Sequence, residues 1–314
     1  MDNIEKYLKE SETEANLLSA DTRDKQLERI KNLWENYKGE DRIVTSYELL
    51  DEIANQPSQK KILSGFSSVD KLTGGFTYEQ LIVLSSQEKT GKTSWSLQLV
   101  GNIREEEPCC FLFEQSPIEI VRQMKERGQE IPYFVTPLRN IDNKFEWFEK
   151  RALEAMIKKG SRFFLIDNVD WLQKEYGYNQ RTDEVTKDLL LKLKSFCIRW
   201  KVIVMLIAHV KKVPMQQIPQ PDDIKDTSAF KQIADTVIIL WRKTKEEKIA
   251  DTKTKAPYRT NETLVWVAEN RREGKTGYAQ MIFEEGRFVE RLWDVGLETS
   301  QSFDKEFNRY TKII

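Results

Sequence analysis

Leu81-Ile82-Val83-Leu84-Ser85-Ser86-Gln87-Glu88-Lys89-Thr90-Gly91-Lys92-Thr93-Ser94 is the stretch whose reading decides the fold. An aliphatic run typical of a buried strand feeds a short polar loop, and a helical pattern follows from Lys92 to about Ile103. A strand that enters a helix through such a loop aims backbone N–H groups and the positive end of the helix dipole at one point, which is the geometry that binds phosphate. Ser86, Gln87, Glu88, Lys89, Thr90, Gly91, Lys92, Thr93 and Ser94 are therefore the expected nucleotide-binding segment. Lys92 is expected to reach the β- and γ-phosphates of ATP, and Thr93 to ligate Mg²⁺. Ser86 stands where the strict pattern has its leading glycine, and a small residue still permits the turn. A second Gly-Lys-Thr, Gly274–Thr276, precedes Tyr278–Phe283, which alternates like a strand and offers no helix, so it is read as a decoy.

Working outward, further strands are expected at Cys109–Phe113, Phe163–Asp167, Val202–Ala208 and Thr236–Trp241. Helices are expected from about Pro117 and over Thr182–Trp200, with shorter β-rich runs at Thr263–Ala268, Ala279–Phe283 and Phe288–Leu292. Continuous apolar strands alternating with helices imply an α/β fold whose mostly parallel sheet is covered on both faces. Residues 61–314 form the expected ATPase domain. The charged stretch Thr244–Thr260, with Pro257 and no apolar period, reads as a mobile loop. Residues 1–60 read as a helical arm or linker: Ile30, Leu33, Trp34 and Tyr37 share one helical stripe, and Thr45 with Glu48 forms a capping box for a helix through Ile53. Such an arm packs either on its own domain or on a neighbouring subunit.

The 50 basic and 51 acidic residues of the 314 leave a net charge of −1, so any nucleic-acid affinity must come from local basic loops. Cys109, Cys110 and Cys197, with the single histidine His209, have no zinc-ligand spacing and read as core thiols of a reducing compartment. No apolar run approaches the length of a membrane span, so a cytoplasmic protein with no membrane partner is expected. Asp167 ends an apolar strand, and at the carboxyl end of a parallel sheet it faces the same crevice as the phosphate loop, where it would serve the Mg²⁺ shell.

Gly65-Phe66-Ser67-Ser68-Val69-Asp70-Lys71-Leu72-Thr73-Gly74-Gly75-Phe76, leading into Leu81–Leu84, resembles the entry to a RecA-like P-loop core. More narrowly the chain resembles the DnaB-type hexameric helicases of superfamily four, among them Twinkle and phage primase–helicases, from about Gly65 to Arg291. That resemblance implies Glu114 as the general base after the second strand. It implies His209 as the γ-phosphate sensor at a strand tip, with Lys211 and Lys212 opening a DNA-binding loop that runs to Lys225. The loop at 174–184, containing Tyr176, Tyr178 and Arg181, would line the same channel, where lysines track phosphates and aromatics stack bases. Asp226–Gln232 lacks the family's glycines. Glu269–Gly277 resembles the arginine-finger segment. Alignment on Thr276-Gly277 makes Arg272 the finger and puts Asn270 at its basic partner position, leaving Arg271 and Lys275 as alternatives. Arg242 and Phe283 would flank the adenine.

The resemblance implies an ATP-dependent replicative DNA helicase, 5′–3′ in polarity, acting as a homohexamer on single-stranded DNA. Primase or polymerase would be separate chains. A RecA/KaiC-like DNA-dependent ATPase without unwinding activity and a scaffold with a dead nucleotide site are the other readings. Intact Lys92, Thr93, Glu114 and Asp167 argue against the scaffold.

Overall fold

Aliphatic and aromatic runs become the interior strands of one nine-stranded sheet in the computed structural model. The structure describes residues 28, 31, 43–55, 60–138, 141–173, 182–211, 213–224, 229–248 and 255–291. Two compact units are distinguished, Met1–Ser58 and Gln59–Ile314.

In the first unit, α1 (Ser46–Asn55) starts at the expected capping box. The Thr45 N–H donates to Glu48 at 2.6 Å, and the Glu48 N–H donates back to Thr45 Oγ1 at 3.3 Å. The stripe of Ile30, Leu33, Trp34 and Tyr37 lies outside the described residues.

The second unit begins with α2 (Ser67–Thr73), closed by Gly74 in the left-handed conformation that suits a glycine C-cap. Next come β1 (Gln80–Ser86), α3 (Lys92–Asn102), β2 (Cys109–Leu112), α4 (Pro117–Glu126), β3 (Tyr133–Val135) and α5 (Lys144–Lys159). They are followed by β4 (Phe163–Asp167), α6 (Val169–Gln173), α7 (Thr182–Trp200), β5 (Ile203–His209) and α8 (Ala229–Ile233). The chain then forms β6 (Thr236–Lys248), β7 (Lys255–Asn270), β8 (Gly277–Glu284) and β9 (Arg287–Glu290). The sheet order is β3-β2-β4-β5-β1-β6-β7-β8-β9. β1 to β6 run parallel, and β7 to β9 add an antiparallel meander.

Period-two alternation sorts the central strands onto two apolar layers. Leu81 and Val83 join Phe164, Ile166, Val204 and Leu206 under Leu189, Leu193 and Phe196 of α7. Ile82 and Leu84 join Leu112, Met205 and Ile207 under Trp95 and Leu99 of α3. Cys109, Cys110 and Cys197 are free and buried, and burial pushes the Cys109 and Cys197 thiols up to about 12.

Residues 244–248 and 255–260 correct the loop expectation, while 249–254 lie outside the described residues: β6 continues to Lys248 and β7 starts at Lys255, pairing Thr244 with Arg259 and Glu246 with Pro257. Backbone pairing carries this ribbon, so it shows no apolar period. Pairing with β8 reaches only to Glu262, so Pro257 lies on a stretch of β7 that, among the described residues, pairs with β6 alone. Gly274–Thr276 lies in the turn between β7 and β8, as a decoy should.

One polar contact ties the sheet to its cover. The Asp235 carboxylate, just before β6, accepts from the Leu81 N–H at 2.7 Å and from Lys194 Nζ at 2.7 and 2.8 Å. Lys194 also donates to the Glu79 carbonyl at 2.8 Å. Asp235 thus joins α7 to the first residues of β1. With 24% of Lys194 and 13% of Asp235 exposed, the pair is partly buried, and removing one partner should cost less than the about 3 kcal/mol of a fully buried pair. Asp235→Ala leaves both the Lys194 ammonium and the Leu81 N–H without this acceptor, whereas Lys194→Met leaves the carboxylate on the Leu81 N–H, so Asp235→Ala should lose the more stability in urea unfolding. Equal losses would contradict the assignment of Asp235 as the shared acceptor.

Candidate nucleotide site

Parallel register gathers the site. Ser86 pairs with His209 across β1 and β5, and Leu112 pairs with Asp167 across β2 and β4. The carboxyl ends of these strands form one edge, where ligands bind in open α/β sheets.

Gly91 has φ 102°, which favours glycine, and a Cβ there would lie 3.1 Å from the Phe288 ring. Lys92 then opens α3, and the first turn of any helix leaves N–H groups without intrahelical acceptors. Lys92 is buried, and its Nζ donates to Ser86 O at 3.1 Å, to Ser86 Oγ at 3.2 Å and to Gln87 O at 3.3 Å. Burial lowers its ammonium pKa to about 8, with Asp167, Glu114 and Glu88 opposing the shift.

Thr93 Oγ1 donates to Asp167 Oδ2 at 2.8 Å. Asp167 is itself buried, which raises its pKa, and the Thr93 hydrogen bond opposes that rise. A hydroxyl and a carboxylate side by side are hard oxygen donors of the kind Mg²⁺ takes. Thr90 Oγ1 in the same loop is buried without a hydrogen-bond partner among the described residues. The donor set therefore fits a Mg²⁺–nucleotide.

Glu114 lies just beyond β2, and its side chain is 55% exposed. Its Oε1 is 3.7 Å from His209 Nε2, and the Asn168 side-chain amide bridges the two. One amide N–H meets the glutamate and the other faces the ring 3.3 Å away. His209 Nδ1 is buried without a partner among the described residues. Asn168 escaped the sequence reading. Its only signal was a polar residue directly after Asp167.

Ser86, Thr90, Gly91, Lys92, Thr93, Asp167, Glu114 and His209 are thus brought to one edge of the sheet. Glu88 and Lys89 are exposed on the loop, and Ser94 is half-buried in the first turn of α3. Gln87 is buried with its side chain turned toward residues 213–217. The Arg242 guanidinium lies 5.7 Å from the Phe283 ring centroid, and Phe283 contacts Phe288, whose ring meets Gly91. An adenine held between Arg242 and Phe283 would replace their mutual contact. Phe288 is a further site-lining residue that sequence reasoning missed.

Arg272 is placed elsewhere. It follows β7, whose Asn270 pairs with Thr236 at the start of β6, and it donates to Tyr78 O at 3.0 Å. Tyr78 precedes β1, so Arg272 and the phosphate loop lie at opposite ends of a seven-residue strand, about 20 Å apart. Lys211 is exposed immediately after the His209 tip, whereas Lys212, Lys225 and Arg181 lie outside the described residues.

Fold and loop together have the architecture of a RecA-like P-loop domain. Residues 140–289 match the family model of the DnaB-like helicase C terminal domain. The chain is similar to the replicative DNA helicase DnaC of Bacillus subtilis (strain 168), 23% identical over 326 residues, which span 92% of this chain and 70% of the relative. The replicative DNA helicase DnaB of Geobacillus stearothermophilus is 21% identical over 325 residues, with the same 92% and 70% coverage. Among solved structures, one ATPase domain superposes with a TM-score of 0.60 at 16% identity, covering 78% of this chain and 96% of that one. A DnaB-like replicative helicase, solved with its interactions with primase, also gives 0.60 at 16% identity, covering 84% of this chain and 71% of that one. The chain is thus similar to DnaB-like helicases in sequence and in fold, and the matched segment, residues 140–289, is the part similar to their C-terminal domain. Among the described residues no helix is long and apolar enough to cross a membrane.

A buried ammonium can hold a polyphosphate only while charged, and a bound polyanion keeps its proton on. Above the free pKa of about 8, binding must therefore take up a proton. Nucleotide affinity measured by calorimetry should fall by up to about tenfold per unit as pH rises beyond about 8, above the range in which the nucleotide's own terminal phosphate titrates, about pH 6. An affinity unchanged up to about pH 9.5 would show that Lys92 does not titrate in the site.

Proposed function

We propose that this chain is the ATP-hydrolysing motor of a replicative DNA helicase that moves on single-stranded DNA as a homohexameric ring. The observation that carries the reading is the meeting of Lys92, Thr93, Asp167, Glu114, Asn168 and His209 at one sheet edge in a DnaB-like chain. Lys92 supplies positive charge to the β- and γ-phosphates, and loop N–H groups cradle them. Thr93 and Asp167 would hold Mg²⁺, which supplies charge neutralisation at the phosphate oxygens. Glu114, exposed enough to meet water, takes the proton of the attacking water. Asn168 orients that carboxylate, and His209 senses the γ-phosphate from the neighbouring strand tip.

Arg272 lies too far from its own phosphate loop to reach it, which supports action on another subunit's nucleotide. Catalysis then requires the oligomer. A primase, as in the solved DnaB-like neighbour, or a polymerase is the replication partner that this reading calls for. Lys211 and the residues that follow the His209 tip contact single-stranded DNA. Arg181 and Lys225 belong to loops assigned to the same channel.

Strand displacement on a forked duplex tests the reading. The wild-type protein should unwind it with ATP and fail with a non-hydrolysable analogue. DNA-stimulated hydrolysis without displacement would favour the non-unwinding ATPase. Arg272→Ala should bind ATP yet hydrolyse it on the order of a thousandfold more slowly, as expected for a lost arginine finger. Mixing it with Glu114→Gln should restore turnover at interfaces that pair an intact glutamate with an intact arginine. Full activity of Arg272→Ala alone would remove this residue from the mechanism.

A further inference from the structure

Gln87 belongs to the phosphate loop, yet its side chain leaves the nucleotide face. Its Nε2 donates to the Pro214 carbonyl at 2.8 Å and the Val213 carbonyl at 3.3 Å, with Gln217 O at 3.5 Å. Gln87 is 8% exposed, so these bonds form largely out of water, where an amide left without acceptors is costly. The segment it grips continues the His209 tip. That segment is pinned further by Val210 N–H to Ser86 O at 3.4 Å, by Lys211 N–H to Asp223 O at 2.7 Å and by Trp241 Nε1 to Met215 O at 3.3 Å. Ile218 packs beside Trp241 and Leu264, which fixes the far end of the grip.

The backbone of Gln87 faces the other way. Its carbonyl, with that of Ser86, accepts from Lys92 Nζ at 3.3 and 3.1 Å. A polyphosphate at the loop competes for this same ammonium. Phosphate oxygens carry full charge, so they take the ammonium from neutral carbonyls. One residue is therefore held by Lys92 through its backbone and holds residues 213–217 through its side chain.

We propose that Gln87 is a positioning residue that couples occupancy of the phosphate site to the conformation of residues 213–217, the segment next to the proposed DNA contact at Lys211. The DNA half of this statement rests on the function proposed above, and the coupling half does not. Nucleotide that draws Lys92 off the Ser86 and Gln87 carbonyls leaves the Gln87 carbonyl on the Ser86 hydroxyl alone, at 2.7 Å, so the Gln87 backbone is less restrained and its side chain carries any shift into the segment. Binding energies at two sites linked this way are reciprocal: single-stranded DNA changes nucleotide affinity by the factor by which nucleotide changes DNA affinity.

Gln87→Met keeps the length and apolar stem while removing both amide donors, so it tests the link without opening a cavity. Hydrogen exchange in residues 213–218, compared with and without saturating Mg²⁺–ADP, should change in the wild type and lose most of that change in Gln87→Met. The reciprocal DNA–nucleotide coupling factor, within the usual range of about 5- to 150-fold, should fall toward one in both directions. An exchange response as large in the variant as in the wild type, at equal nucleotide occupancy, would overturn the proposal. A wild-type response lost in the variant, in a protein with no affinity for single-stranded DNA, would support the coupling and overturn the DNA assignment.

Discussion

The parallel register of β1 against β5 and β6 is the constraint on which the molecule depends. It sets Ser86 opposite His209 and opposite Leu240, so the phosphate loop, the histidine tip and the start of the long ribbon leave the sheet at one level. A slip of one residue would send Ile82 and Leu84 to the face now filled by Leu81 and Val83, and both apolar layers would fail together. The packing that stabilises the sheet therefore also holds the site in place. Asp235 guards the opposite end of the same register by clasping the Leu81 N–H and Lys194.

Charge is arranged within this frame with little slack. Lys92 sits buried on loop carbonyls, and Asp167 is buried on the Thr93 hydroxyl. Burial disfavours the charged form of each: it lowers the lysine pKa to about 8 and raises the aspartate pKa. Each thus carries a desolvation cost that a polyanion and a hard cation would offset. The exposed Glu114 lies at the rim, where water can enter, and the buried Asn168 joins it to His209.

Much of this was legible in the sequence. The aliphatic run Leu81–Leu84, the Gly-Lys-Thr opening α3 and the strand ending in Asp167 are local patterns whose physics lies within a few residues. The length of α7 could be read from its apolar period, and burial of Val185, Leu189, Leu193 and Phe196 bears it out. Contacts set by the folded sheet were not legible. Gln87 meets Pro214 across 127 residues, and Asn168 joins Glu114 to His209 across 54 and 41. Residues 244–248 and 255–260 read as loop because their pairing is carried by backbone groups, which leave no hydrophobic signature.

In the proposed mechanism Lys92 supplies the charge that holds and activates the γ-phosphate. Steady-state ATP turnover of Lys92→Ala, measured beside the wild type with circular dichroism to establish that both are folded, tests it most directly. A folded variant that has lost nearly all turnover is the predicted result, and a folded variant that hydrolyses ATP at the wild-type rate would contradict the account.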